Sequence, residues 1–314
     1  MSDERIERTS GRLAARRTAG YAAAAVLGCV LLLSAWTKGA DPEGFAAQIV
    51  REGLLPGSLA GFAAVLVVAL EAGLGAALLA GRLVPPVLAA GTALMGAFWL
   101  LAGWQFFVPP DDPSSCGCFG NLIQQTPGRH WALNTAFLAL AALSWLGCRR
   151  TARGALGLTA GSFAVAAAFA LAAPSLPIDS WPGVTRLREG ADVAELGLTD
   201  VIPELAAGDS LVLLIDRADE ETRRDIGRVN ELLALKGGPV RVFGLAERDE
   251  ELAAEFFWAA GPAFDVREAP YSLIKPLYRR LPRAFLVREG RIRRIWNGIP
   301  DEPALERLAR GEFP

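Results

Sequence analysis

Before Pro174 the chain consists almost wholly of long apolar runs. Residues 20–36, 59–80, 84–108, 131–148 and 155–173 contain one charged residue between them, Glu71. A helix needs about 20 apolar residues to cross the hydrocarbon core of a bilayer. Lipid offers no hydrogen bonds, so such segments must satisfy their backbone internally, as helices do. The runs therefore predict an all-α transmembrane helical bundle, four helices plus a fifth linking span. Gly and Ala are abundant in all five, and small residues let membrane helices approach closely. The first and fourth runs are short, which predicts that Lys38 and Arg149 reach out to the interface from their ends.

After Pro174, charged residues return at ordinary density. The 52% apolar content of the whole chain thus averages two compartments. The predicted organisation is a cytoplasmic tail over 1–17, a membrane domain over 18–150, a fifth helix over 151–175, a linker over 176–189 and an α/β domain over 190–314. The net charge of −2 is small and says nothing about nucleic acid, but no basic stripe with interleaved aromatics appears, so no nucleic-acid partner is expected. Arg12, Arg16 and Arg17 before the first run resemble the start of a signal peptide. The run is long for one, however, and ends in Trp36-Thr37-Lys38 without a small-residue cleavage site, so an uncleaved first span is expected. Arginines crowd the N-terminal tail, the turn at Arg82 and the turn at Arg149, Arg150 and Arg153. Basic loops stay in the cytoplasm. The expected localisation is the cell inner membrane, multi-pass, with the N-terminus cytoplasmic and the C-terminal domain extracytoplasmic.

The outward loop over 109–130 carries Cys116-Gly117-Cys118. Disulfides persist on that side of a membrane. A bridge needs Cα atoms roughly 4.4–6.8 Å apart, so a Cys-x-Cys pair must bend, and Gly117 permits the bend at least steric cost. The ring so closed is small, and strained bridges are the labile, oxidising ones. Cys116 and Cys118 are therefore the candidate catalytic pair for thiol–disulfide exchange. Metal binding and inert thiols are the other readings. A Cys-x-Cys pair supplies only two of the four ligands a tetrahedral site wants, with His130 as the one histidine of the chain. Cys29 and Cys148 read as packing residues inside spans.

Glu71 falls near the middle of the second span. An intramembrane carboxylate is costly, and by default it marks function. It is placed to relay a proton or to face an acceptor such as a membrane quinone; a carboxyl group hydrogen-bonded to a neighbouring helix is the plainer reading. Lys38, at the outer end of span one, is a supporting candidate, since a positive charge favours a nearby thiolate. Asp111 and Asp112 would oppose it.

Span one ends Ser34-Ala35-Trp36-Thr37-Lys38-Gly39-Ala40-Asp41-Pro42, span two carries Leu70-Glu71 followed by glycines, and the second outer loop carries Cys116-Gly117-Cys118-Phe119-Gly120. In these runs residues 18–150 resemble the methylamine-utilisation MauE family, a relative of DoxX-like membrane proteins. The resemblance implies a four-helix membrane domain. It also implies a part in maturing methylamine dehydrogenase, a disulfide-rich periplasmic enzyme, through thiol redox chemistry. The fifth span and the large C-terminal domain depart from the family pattern.

In the C-terminal part, 210–216 and 240–245 read as strands, 219–235 and 250–260 as helices, 283–287 and 291–296 as a hairpin turned at Glu289-Gly290, and 303–311 as a closing helix. Strands alternating with helices, then a hairpin, predict a mixed α/β sheet. The order over about 190–312 resembles a thioredoxin-like domain, with Pro282 where that fold places a cis-proline. Asp216-Arg217-Ala218-Asp219 stands where such a domain carries Cys-x-x-Cys, so this one cannot exchange dithiols itself. The expected function is a membrane-bound thiol–disulfide redox or maturation protein whose partners are the lipid bilayer and an extracytoplasmic client or thiol-redox protein. A small-molecule transporter using Glu71, and a scaffold without chemistry, are the rival classes.

Overall fold

The computed structural model describes residues 2–108, 126–149, 153–181, 184–234 and 238–312. They belong to two compact units, Met1–Ile178 and Asp179–Pro314.

The first unit is helical. Its elements are α1 (Ser2–Ala40), α2 (Pro42–Arg51), α3 (Gly57–Leu79), α4 (Pro85–Phe107), α5 (Pro127–Ser144) and α6 (Ala155–Ala172). Among the described residues four helical stretches are long and apolar enough to cross a membrane: Gly11–Ala40, Gly57–Leu79, Pro85–Phe107 and Ala155–Ser175. The remaining predicted span corresponds to α5. It begins earlier than the apolar run does, and Arg129, His130 and Asn134 add polar positions to its 18 residues. It nevertheless lies antiparallel along α4 from end to end. Phe106 stacks on Trp131 with centroids 5.2 Å apart, Trp99 Nε1 donates to Thr135 Oγ1 at 2.9 Å, and Trp145 Nε1 donates to Thr92 Oγ1 at 3.1 Å.

Helices in lipid gain nothing from expelling water between them, so close van der Waals contact must hold them. Here glycines provide it. A Cβ on Gly28 of α1 would sit 2.8 Å from the Gly75 carbonyl oxygen of α3, and a Cβ on Gly73 would sit 2.8 Å from the Thr159 carbonyl oxygen of α6. Trp36 of α1 stacks on Phe169 of α6. The short helix α2 was not anticipated. Asp41 caps it by accepting from Gly44 N at 3.0 Å, Pro42 supplies a preset first turn, and Gly53, at φ +67°, ends it. Its apolar face, with Phe45 and Ile49, packs on Ala60 and Ala64 of α3.

The second unit is α/β. Its strands are β1 (Asp209–Leu214), β2 (Arg241–Glu247), β3 (Asp265–Ala269), β4 (Arg283–Arg288) and β5 (Arg291–Trp296), and its helices are α7 (Glu220–Val229), α8 (Glu250–Ala260), the short α9 (Tyr271–Ile274) and α10 (Glu302–Ala309). The sheet order is β3-β2-β1-β4-β5, with β1, β2 and β3 parallel and β4 and β5 antiparallel. β1 and β4 are central and covered on both sides, which is why they read as unbroken apolar runs. Leu211, Leu213, Ala284 and Leu286 face Ile226, Phe256 and Leu305 of the helices. Val212, Leu214, Phe285 and Val287 face the irregular segment that carries Leu198 and Leu205. The β4–β5 turn falls at Glu289-Gly290, both with positive φ, as a two-residue hairpin turn requires.

Candidate functional site

The structure brings Lys38 and Glu71 together. Ser34 and Lys38 lie four residues apart on α1, hence on one face of the helix, and that face meets α3 at Glu71. Glu71 Oε1 accepts from Lys38 Nζ at 2.5 Å and from Ser34 Oγ at 3.0 Å. Glu71 has no solvent exposure and Lys38 only 4%. The expectation that Lys38 reaches out to the interface is therefore corrected. Helix α1 continues past it to Ala40, and the nearest compensation for its charge is the carboxylate inside the bundle. Desolvating two ions costs several kcal/mol each, and only a close, hydrogen-bonded contact offsets that. The ammonium is further flanked by the faces of Phe45 and Phe98, with centroids 5.1 and 4.6 Å away.

Glu71 is thus a neighbour's partner before it is a relay. It holds Lys38, and Lys38 lines a cavity of about 200 Å³ bounded by α1, α2, α3, α4 and α5. The cavity's polar wall consists of Lys38, Gln48, Glu52, Gln105 and His130; its apolar walls include Ile49, Ala63, Val67, Phe98 and Leu101. Glu52 accepts from Gln48 Nε2 and from Gln105 Nε2, both at 2.8 Å. Gln105 is buried, and its Oε1 has no hydrogen-bond partner among the described residues. Because its Nε2 is committed to a carboxylate, the orientation of that amide is fixed.

Burial raises the pKa of the Glu52 carboxyl group, and the hydrogen bonds from Gln48 and Gln105 offset part of the rise. An acid whose pKa is higher folded than unfolded contributes stability that is present below the unfolded value and lost as pH climbs through the folded one. As pH rises above the ordinary carboxyl range, the melting temperature of the protein in detergent is expected to fall more steeply in the wild type than in Glu52→Gln. Parallel pH profiles for the two proteins would rule this out.

The remaining predicted residues are placed as follows. Cys116, Gly117 and Cys118 lie outside the described residues. Cys29 is corrected from a packing residue to an exposed side chain on the outside of the bundle, because the face of α1 turned to α3 is the one carrying Gly28 and Leu31. Cys148 is partly buried against the cluster of Leu83 and Val84. Pro282 lies in the second unit directly before β4, and its peptide bond with Leu281 is cis. The 216–219 segment after β1 is structural. Arg217, 6% exposed, donates to the carbonyls of Glu247 and Asp249 and pairs with Glu268 at 2.8 Å, so it ties the ends of β1, β2 and β3 together. Asp219 caps α7 by accepting from Thr222 N.

Sequence reasoning missed Gln48, Glu52 and Gln105. Gln105 is the one amide in its apolar run, and that was the available signal. Gln48 and Glu52 are spaced as neighbours on a helix, but that helix had not been recognised. The search of curated proteins finds no match. Residues 16–147, which contain Lys38, Glu71 and every residue of the cavity wall, match the family described as Methylamine utilisation protein MauE, and the membrane unit is similar to that family.

Proposed function

We propose that the chain is a membrane-bound thiol–disulfide redox protein that serves the maturation of an extracytoplasmic client, with methylamine metabolism as the setting the family suggests. The observation that carries this reading is the family match over 16–147, inside which Cys116-Gly117-Cys118 falls. Cys116 and Cys118 cycle between dithiol and disulfide, and exchange runs by thiolate attack through a mixed disulfide with the partner. The N-terminus is cytoplasmic, and the exchange loop and second unit are extracytoplasmic, in keeping with the arginine-rich tail and turns.

The second unit is read as a thioredoxin-like domain that has given up its own chemistry. The parallel β1–β2 pair, the antiparallel β4–β5 hairpin beside β1, and Pro282 ahead of β4 support that reading. With Arg217 employed as a clamp after β1, the domain's role is to hold or present the client.

The test is the redox state of the loop in native membranes. Thiols are labelled with a membrane-impermeant alkylator before and after reduction, and the sites are mapped by mass spectrometry. A mixture of free and disulfide-linked Cys116 and Cys118, reached from outside, is the expected result. Thiols that stay free under every respiratory condition would overturn the proposal. Loss of function in Glu71→Gln with Cys116→Ser fully active would favour transport instead.

A further inference from the structure

The cavity beside Lys38 has features that the redox reading does not explain. Its polar wall offers both kinds of hydrogen-bonding group. Lys38 Nζ has three N–H donors, of which Glu71 Oε1 engages one at 2.5 Å. Gln105 Oε1 is an acceptor without a partner among the described residues, on a side chain only 5% exposed. A buried polar atom left unmatched is costly, and native proteins rarely tolerate one without a ligand or water. The wall also carries charges of both signs. The Lys38 cation is offset by Glu71, and Glu52 stands on the same cavity. An anionic ligand would meet Glu52, and a cationic one would meet Lys38 where it already lies over Phe45 and Phe98. The site suits a neutral molecule.

At about 200 Å³ the cavity is smaller than the roughly 300–1,000 Å³ typical of pockets for drug-sized ligands, so it has room for about one ring. Phe98 and Phe45 supply flat apolar faces for that ring. Leu54 and Leu55 line the cavity and are also exposed, 42% and 37%, so an attached apolar chain has a way out along them.

We propose that this cavity binds the ring of a membrane quinone. A ring carbonyl accepts from Lys38, and in the reduced form a ring hydroxyl donates to Gln105 Oε1. Glu71 is then a positioning residue that holds Lys38 in place rather than a ligand contact. The proposal deepens the redox reading and rests on it for the electron source. Two thiols give up two electrons and two protons to become a disulfide, and the quinone takes up both pairs to become the quinol.

Binding is read without turnover, so it is decided independently of whether Cys116 and Cys118 exchange. The full chain in nanodiscs is titrated with decylubiquinone, and separately with oleate as an anionic amphiphile. Decylubiquinone is expected to bind the wild type saturably, with Kd raised at least fivefold in Gln105→Leu and in Ala63→Phe, which fills the cavity from α3. Both variants are checked for an unchanged melting temperature without ligand. On the unaltered protein, a photoactivatable azidoquinone should label peptides within residues 45–67 or 98–105. Absence of quinone binding, equal affinity in wild type and folded variants, tighter binding of oleate than of the quinone, or labelling confined to other helices would each overturn the proposal. Quinone binding without any exchange by the cysteines would instead overturn the redox reading and leave the site standing.

Discussion

Lys38→Met is expected to destabilise the membrane unit by about 3–5 kcal/mol, the cost of leaving one member of a buried ion pair without its partner. Methionine is unbranched and one atom shorter than lysine, so most of the packing of the stem is kept. What is lost is the compensation of Glu71, which has no solvent exposure and, among the described residues, accepts otherwise from Ser34 alone. The double variant Lys38→Met/Glu71→Leu removes both charges, and its stability should return to near the wild-type value or above it, because apolar replacement of a whole buried pair is often neutral or favourable. Thermal unfolding of the three proteins in the same detergent decides the matter. A single variant as stable as wild type would mean that the pair does not form in the membrane. A double variant as damaged as the single would mean that Lys38 contributes by packing alone.

The second large effect concerns chemistry. In the thiol–disulfide reading, one of the single variants Cys116→Ser and Cys118→Ser loses the attacking thiolate, and the other keeps it but cannot resolve the mixed disulfide. The first is expected to carry no covalent partner. The second should accumulate one, visible as a reducible high-mass band after acid quenching. The double variant should fall to background in both assays. Identical behaviour of the two single variants, with no trapped partner in either, would remove the dithiol mechanism.

What the sequence reveals of this fold depends on how local the cause is. The spans are legible because lipid imposes its demand on every residue of a segment. Glu71 is legible because a carboxylate inside an apolar run has no ordinary explanation. Its partner was less so. Lys38 reads as the end of a span, and its inward turn depends on the close approach of α1 and α3 at Gly28 and Gly75, a property of two segments together. The cavity was invisible for the same reason: Gln105 and Glu52 meet across 53 positions of chain. α2 escaped notice because 42–51 is short and mixed in character, and its signals are the Asp41 cap and Pro42. β3 is a strand only by pairing with β2, for Asp265-Val266-Arg267-Glu268-Ala269 has neither the apolar run nor the alternation of a strand. In contrast β1 and β4, buried on both faces, announce themselves. The 216–219 segment was rightly read as lacking cysteines, but the burial of Arg217 could be known only from the three strand ends it joins.

The Lys38–Glu71 pair also sets how the protein feels the voltage across its membrane. A lone charge carried across the bilayer exchanges about 2.3 kcal/mol per 100 mV with the field. Two opposite charges with 2.5 Å between their atoms form a short dipole of zero net charge, so a shift of the pair as a unit does almost no electrical work. The field acts on the two members in opposite directions, so it does work on the pair only as far as α1 and α3 part at this contact, which the ion pair itself opposes. In the redox reading, electrical work belongs to the electrons and protons exchanged and not to this pair.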